Sequence, residues 1–494
     1  MQYHSTRGLK ENISAAEAII RGLAPDGGLY VPESFPHIST DEIEALCRLD
    51  YRERAARIMA PYLDDFTAGE IRTLCEQAYG ANFDSEEIAP TRFIDETTAY
   101  LELWHGPTSA FKDMALQMLP RLLTASLRKR GVKPGVCILV ATSGDTGKAA
   151  LEGFADVPGT RILVFYPRDG VSDVQRLQMV TQSGDNVGVC AVEGNFDDAQ
   201  TGVKRIFSDK ELAAELEQRG WFLSSANSIN WGRLLPQIAY YFSSYCDFVN
   251  AGLILPGEPM NFCVPTGNFG NILAGWIAKQ MGLPVERFLC ASNENNVLTD
   301  FINSGVYDKR RAFHLTNSPS MDILVSSNLE RLLYLLSEGD CGYVAGLMEQ
   351  LNREGHYQVS PRLLERLQAE FDCACCDDAG AAEVIRRLWQ EQHYLCDPHT
   401  AVAWSAAEQV RLEDGAPVVV LSTASPYKFP AAVLGALEGG CDGDEFAMME
   451  RLHRLTGTEV PRNLAGLQGR TVRHRDVIDK EQMLDYVLAE VMRS

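Results

Sequence analysis

The spacing of apolar and polar positions changes character near residue 86. Before it, ALCRLDYRERAARIMAPYL and AGEIRTLCEQAYG repeat apolar residues every three or four positions, as one face of a helix requires. A turn cluster, PDGGLYVP at 25–32, precedes them. After residue 86, short apolar runs rich in β-branched residues each lead into a polar loop and then a helical stretch. Four units follow this plan: GVCILVA–TSGDTG–KAALEGFA, NVGVCAV–EGNFDD–AQTGVKRIF, NFCVP–TGNFGN–ILAGWIAKQMG and APVVVLS–TASPYK–FPAAVLGAL. Strands apolar on both faces belong in a covered parallel sheet, and the Gly/Asn/Ser/Thr loops carry helix-capping chemistry. The alternation predicts doubly wound α/β architecture with ligands at the carboxyl ends of the strands. From about 305 to 400 the pattern is mainly helical, as in SSNLERLLYLLSEG and GYVAGLMEQLNREG, and KEQMLDYVLAEVMRS reads as a terminal amphipathic helix.

A chain of 494 residues exceeds one core and implies more than one domain. The net charge of -22 argues against nucleic acid or an anionic membrane as partner, since both need a basic face. It leaves room for an anionic small substrate in a local basic pocket. The polar MQYHSTRG start and the lack of a long apolar run predict neither a secretory signal nor a membrane span. Thirteen cysteines, an odd number on a long chain, read as reduced thiols of a cytoplasmic protein. Cys373, Cys375 and Cys376 cluster as CACC. No second Cys/His pair follows at zinc-site spacing, so a cysteine-rich loop or helix end is expected, and no metal.

Three features carry candidate chemistry. TGNFGN at 266–271 joins a strand to a helix. Its glycines allow close approach, and its N–H groups and asparagines can cradle a phosphate. It lacks the GK[ST] ending of a nucleotide-binding loop and is not G-x-G-x-x-G. TSGDTG at 142–147 offers hydroxyls and N–H groups suited to a carboxylate, and the acidic Asp145 must then face a donor or a cation. Within HGPTSAFKD, Lys112 sits among Phe111, Met114, Leu116, Met118 and Leu119; burial there would lower its pKa and make the amine nucleophilic. A nucleophilic lysine beside two anion cradles fits a Schiff base with pyridoxal phosphate. The triplet-plus-lysine Ser109-Ala110-Phe111-Lys112 also spells S-x-x-K, but no K-[ST]-G accompanies it, and the strand–loop–helix units do not suit acylating serine hydrolases. His105 and His399 read as structural.

HGPTSAFKD closely resembles the cofactor-lysine motif of the threonine synthase family. STRG, GLAPDGGLYVP, TSGDTG, SANSINWGR, VPTGNFGN, NENN, SPSMDILVSSNLER, DPHTAVAW and STASPYKFP follow in the family's order across essentially the whole chain. The resemblance implies a fold-type-II pyridoxal phosphate enzyme, similar to tryptophan synthase β, with two doubly wound α/β subdomains. A mainly helical N-terminal domain would span 1–85 and the catalytic region 86–494. Within the latter, the smaller subdomain would span roughly 125–240 and a helical elaboration roughly 305–400. It implies that Lys112 holds the cofactor and that Gly267, Asn268, Phe269, Gly270 and Asn271 hold its phosphate. Thr423 would meet the pyridine nitrogen. Ser143, Asp145 and Thr146 would surround the substrate carboxylate, and Asn227, Ser228, Arg233 and Lys428 the substrate phosphate. Ser425, Pro426 and Tyr427 depart from the His-Pro-Ala common in relatives.

The implied reaction converts O-phospho-L-homoserine and water to L-threonine and phosphate, the last step of threonine biosynthesis, in a cytoplasmic monomer or homodimer. The nearest alternative is a phospho-lyase on the same scaffold, giving 2-oxobutyrate. The Asn227/Arg233 group and the N-terminal domain argue against a threonine or serine dehydratase, and the intact Lys112, TGNFGN and Thr423 against a cofactor-free scaffold.

Overall fold

The computed structural model describes residues 1–131, 135–142, 144–169, 171–410, 415–440 and 443–492. Fifteen strands order the described residues. They are β1 (Tyr3–Ser5), β2 (Tyr30–Pro32), β3 (Thr91–Phe93), β4 (Thr98–Glu102), β5 (Gly135–Ala141), β6 (Thr160–Pro167), β7 (Val187–Glu193), β8 (Trp221–Ser224), β9 (Met260–Pro265), β10 (Val285–Ser292), β11 (Val306–Asp308), β12 (His356–Gln358), β13 (Phe371–Cys375), β14 (Val418–Ser422) and β15 (Asp476–Asp479).

The first 85 residues form a small two-stranded antiparallel sheet, β1–β2, and helices. The long helical stretch read from the sequence is two helices, Thr40–Cys47 and Tyr51–Met59. Asp50 divides them, because its carboxylate caps the second helix through the Glu53 N–H. Ser39 with Glu42 and Thr67 with Glu70 close reciprocal capping boxes, which satisfy N–H groups that a helix start leaves unpaired. The aromatic rings of Tyr3 and Tyr62 pack on Trp231 of the catalytic region, their centroids 5.6 and 5.5 Å away.

All four strand–loop–helix units are present. Two sheets carry them: a parallel five-stranded sheet, order β15-β7-β6-β5-β8, and a six-stranded sheet, order β13-β10-β9-β14-β4-β3, parallel except for β3 against β4. The apolar strands are buried, β6 along its whole length and β9 likewise. The fifth strand of the smaller sheet, β15, comes from near the end of the chain. The terminal helix Met483–Met492 then lays Met483, Val487 and Val491 onto Cys137, Leu163 and Cys190. The CACC segment is neither loop nor helix end. Cys373 and Cys375 lie in β13, the edge of the larger sheet, because Phe371 and Ala374 supply inward positions against β10. The described cysteines are free thiols, and among the described residues no group of His, Cys, Asp and Glu could hold a metal. No helix among them is long and apolar enough to cross a membrane.

The helices carrying the two main site loops touch backbone to backbone. A Cβ on Gly153, in the helix Asp145–Phe154, would stand 2.1 Å from the carbonyl oxygen of Leu116 in the helix Lys112–Leu116. Helix propensity favours alanine at such a position by about 1 kcal/mol, but overpacking costs about 1–3 kcal/mol. A backbone atom cannot swing aside, so the second effect wins. Gly153→Ala therefore lowers the chemical-denaturation midpoint; a raised midpoint would show that the two helices separate freely.

Candidate active site

The site lies at the carboxyl ends of β5, β9 and β14, where the loops 142–147, 266–271 and 423–429 begin. The loop before Lys112 is clipped to the loop after β14. Phe111 N donates to the Thr423 carbonyl at 2.8 Å, Ser425 N donates to the Ser109 carbonyl at 3.1 Å, and Ala110 bridges Ala424. Ser109 has φ 58°, an unusual value for a non-glycine residue. Its hydroxyl donates to Asn463 Oδ1, whose amide in turn donates to the Pro107 carbonyl. Asp113 closes the same turn, accepting from the Thr108 N–H and hydroxyl at 2.8 Å each. Burial pushes its carboxyl up to about 7 despite those two bonds.

Lys112 opens its short helix and is almost wholly buried. Its Nζ donates to the Ser320 hydroxyl at 2.7 Å and stands 3.7 Å from Asp145 Oδ2. Desolvation, with Lys428 and Arg233 nearby, brings its pKa down from 10.5 to about 8, although Asp145 pulls the other way. That change multiplies the neutral, nucleophilic amine at neutral pH about 300-fold.

Asp145 answers the question its charge posed. It sits between cations. Its Oδ1 contacts Lys428 Nζ at 2.6 Å and accepts from Gln175 at 3.0 Å, while Oδ2 accepts from the Ser320 hydroxyl at 3.2 Å. Burial alone would raise its pKa, but Lys428 and Lys112 outweigh burial and hold the carboxyl far below the usual range. Lys428 has no exposed surface and also donates to the Thr108 carbonyl at 3.0 Å. Thr142 Oγ1 accepts from the N–H groups of Gly144 and Gly147, which shapes the turn at the head of the Asp145 helix. Thr146 is half-buried there, and Ser143 lies outside the described residues.

The 266–271 loop fits the phosphate end of pyridoxal phosphate. The N–H groups of residues 267–272 make no hydrogen bond among the described residues, and they precede the helix Gly270–Gln280, whose dipole favours an anion. Asn271 Nδ2 is a buried donor without a partner, held in place because Tyr240 and Tyr241 both donate to Asn271 Oδ1. A Cβ on Gly267 would stand 2.6 Å from the Ser320 carbonyl oxygen, and Phe269 takes φ 61° to aim the turn. Asn268 receives the Asn328 N–H on its carbonyl. Thr423 is buried and its hydroxyl has no hydrogen bond among the described residues.

The 225–233 segment supplies a further cation. Arg233, in the helix Trp231–Leu234, is buried and donates to the Ala226 carbonyl at 2.6 Å, with no carboxylate bound to it among the described residues. Desolvation lowers its pKa to about 10, still charged at neutral pH. Asn227 is exposed beside it, and Ser228 Oγ accepts from Asn328 at 2.9 Å. Of the two flagged histidines, His105 lies between Asp84 and Glu102 at 2.6 and 2.9 Å. Burial opposes its protonation, but the two carboxylates prevail and raise its pKa to about 9. His399 meets the site through Ser320. Sequence reasoning missed Ser320, Gln175, Asn328 and Asn463. Ser320 stands within SPSMDILVSSNLER, but nothing local marks it, because its partners are 175 and 208 positions away.

Breaking a buried ion pair by removing one charge costs about 3–5 kcal/mol. Asp145→Asn therefore lowers the denaturation midpoint by leaving Lys428 unpaired, and adding Lys428→Met recovers part of the loss. Equal midpoints for Asp145→Asn and the unmodified chain would show that the pair carries no such weight.

Comparison with known proteins agrees with this geometry. Residues 2–79 match the family described as threonine synthase N terminus, 98–424 that of pyridoxal-phosphate dependent enzymes, and 400–487 threonine synthase, C-terminal. The chain is 44% identical to threonine synthase-like 1 of Macaca fascicularis over 86% of its own length, and spans 58% of the length of that relative. It is 40% identical to the threonine synthase of Pseudomonas aeruginosa, covering 96% of this chain and 98% of that one. The crystal structure of PLP-bound threonine synthase from Brucella melitensis superposes with a TM-score of 0.89 at 37% identity, covering 99% of each chain. These matches along the whole chain show that it belongs to the threonine synthase family of pyridoxal-phosphate-dependent enzymes.

Proposed function

We propose that the chain converts O-phospho-L-homoserine and water to L-threonine and phosphate. The observation that carries this reading is Arg233, a buried guanidinium without a carboxylate, close enough to Lys112 to depress its pKa. With the 142–147 loop assigned to the substrate carboxylate and the 266–271 loop to the cofactor phosphate, a further buried cation suits a third anion, a phosphate on the substrate.

The residues divide the work. The N–H groups of residues 267–272 and the Asn271 amide hold the cofactor phosphate, and Gly267 and Gly270 allow its approach. Thr423, a hydroxyl rather than a carboxylate, meets the pyridine nitrogen and leaves it less protonated. When bound, pyridoxal phosphate supplies the electron sink for charge developing beside the substrate amine. Lys112, with its amine poised near neutrality, first binds the cofactor and then takes the proton from the substrate α-carbon. Ser143 and Thr146 meet the substrate carboxylate, and Asp145 balances the lysines behind it. Arg233 forks onto the departing phosphate, with Asn227 and Ser228 beside it. Lys428 acts on that charge through space, because its ammonium is already bound to Asp145.

The deciding measurement quantifies phosphate, threonine and 2-oxobutyrate together after incubation with O-phospho-L-homoserine. Phosphate matched by threonine is the expected result. Phosphate matched by 2-oxobutyrate would make the chain a phospho-lyase, and no phosphate would withdraw the substrate. Lys112→Ala is expected to lose the cofactor absorbance that survives gel filtration and to lower turnover about 1000-fold or more. Arg233→Ala is expected to lower kcat/KM for the phosphorylated substrate about 10- to 100-fold, the worth of a charge-assisted bond. An equal loss with an unphosphorylated analogue would count against its role.

A further inference from the structure

One hydroxyl joins Lys112 to Asp145. Lys112 Nζ and Asp145 Oδ2 are 3.7 Å apart, too far for a hydrogen bond. Ser320 fills that gap: its Oγ accepts from Lys112 at 2.7 Å and donates to Asp145 at 3.2 Å. Its backbone is fixed as firmly as its side chain. Ser320 N–H donates to His399 Nε2 at 3.1 Å. A peptide N–H can only donate, so Nε2 carries no proton and Nδ1 does. That Nδ1–H donates to Asp397 Oδ1 at 2.6 Å, and Asp397 is itself anchored by the His399 N–H and the Thr400 hydroxyl. The imidazole is buried and makes an edge contact with Phe429, 5.0 Å between centroids. On the other side, the Ser320 carbonyl lies where only a glycine, Gly267, leaves room in the phosphate loop. An ordinary surface turn has no reason to be held from three sides. The side chain of Ser320 is half-buried, so it faces the site and not the core.

We propose that Ser320 is the positioning residue of Lys112, a dock that holds the free ε-amine against Asp145, with the Asp397–His399 pair holding the dock in place. This rests on Lys112 being the cofactor lysine. When Lys112 holds no cofactor, Ser320 receives its free ε-amine through one hydrogen bond, and Asp145 keeps its charge compensated. No bond other than that hydrogen bond forms or breaks at the serine. Asp145 remains ionised throughout, since two lysines hold its carboxyl far below the usual range. The hydroxyl therefore orients the amine and does not deliver a proton to the carboxylate. The charged groups around Lys112 are Asp145, Lys428 and Arg233, and Asp397 lies behind Ser320 on the far side of the His399 ring.

The test uses Ser320→Ala, Ser320→Thr and His399→Leu, each compared with the unmodified chain. The first readout is made on cofactor-free protein: the pH profile of Lys112 modification by an amine-reactive reagent, followed by peptide mass spectrometry. Losing the hydroxyl removes an acceptor from the ammonium form, so the midpoint moves downward from about 8 in Ser320→Ala. Ser320→Thr, which keeps the hydroxyl, restores it, and His399→Leu shifts it in the same direction as Ser320→Ala. The second readout is kinetic: Ser320→Ala lowers kcat about tenfold with KM within about twofold, and Ser320→Thr recovers most of it. An unchanged Lys112 profile in Ser320→Ala, or a profile that moves equally in Ser320→Thr, would overturn the proposal. A normal shift in a protein that makes no threonine would instead overturn the function and leave the dock standing.

Discussion

The arrangement of the site depends on one buried carboxylate. Asp145 has Lys428 on one oxygen and, through Ser320, Lys112 on the other. Each partner comes from a different part of the chain: the turn after β14, the 319–321 turn and the helix that Lys112 opens. Without Asp145, two ammonium groups would lie buried close together, at a cost no local packing could offset. With it, the Lys112 ammonium, its pKa brought down to about 8 by burial, remains close to its counter-ion. The same carboxylate thus binds the fold together at the site and opposes the loss of charge that burial favours at Lys112.

The local charge runs opposite to the whole. The chain carries -22, yet Lys112, Lys428 and Arg233 stand around Asp145, and a helix N-terminus faces the same region. Cations buried in a low-dielectric pocket act strongly over a few ångströms, while distant surface acids are screened within about 10 Å. A site that must hold a cofactor phosphate, and under the proposed reaction a substrate phosphate as well, needs this local excess. The acidic surface keeps the protein off other polyanions without weakening it.

The N-terminal domain is tied to the same centre. Glu330 is buried against Arg7, which donates two hydrogen bonds to it, and against the Thr6 hydroxyl at 2.6 Å. Next along the chain, Arg331 is wholly buried and donates to the carbonyls of Tyr30, Ser228 and Ile229. Asn328 reaches Ser228 and Asn268. The stretch 328–331 therefore joins the STRG segment, the 225–233 segment and the phosphate loop. That explains why STRG travels with the catalytic motifs although it lies far from Lys112 in sequence.

The sequence by itself determined the elements and their class. Strand–loop–helix units are local patterns, written by β-branched runs and capping residues within about 30 positions, and all four units stand where that pattern put them. Burial of Lys112 was legible for the same reason: its neighbours Phe111, Met114 and Leu116 left it no exposed face. The family motifs singled out the 266–271 loop, whose N–H groups make no hydrogen bond among the described residues. Other features had no local signal. Asp50 split an apparent single helix through a cap that competes with continuation, and CACC became an edge strand because β10 offered it a partner. The strand β15 joins a sheet whose other members end some 250 residues earlier, a pairing that only the folded chain can make. Only the tertiary structure decided that Asp145 faces lysines, that Lys428 is already paired, and that Ser320 stands between Lys112 and Asp145. Those are contacts between distant segments, set by packing of whole layers, and no window of sequence contains both partners.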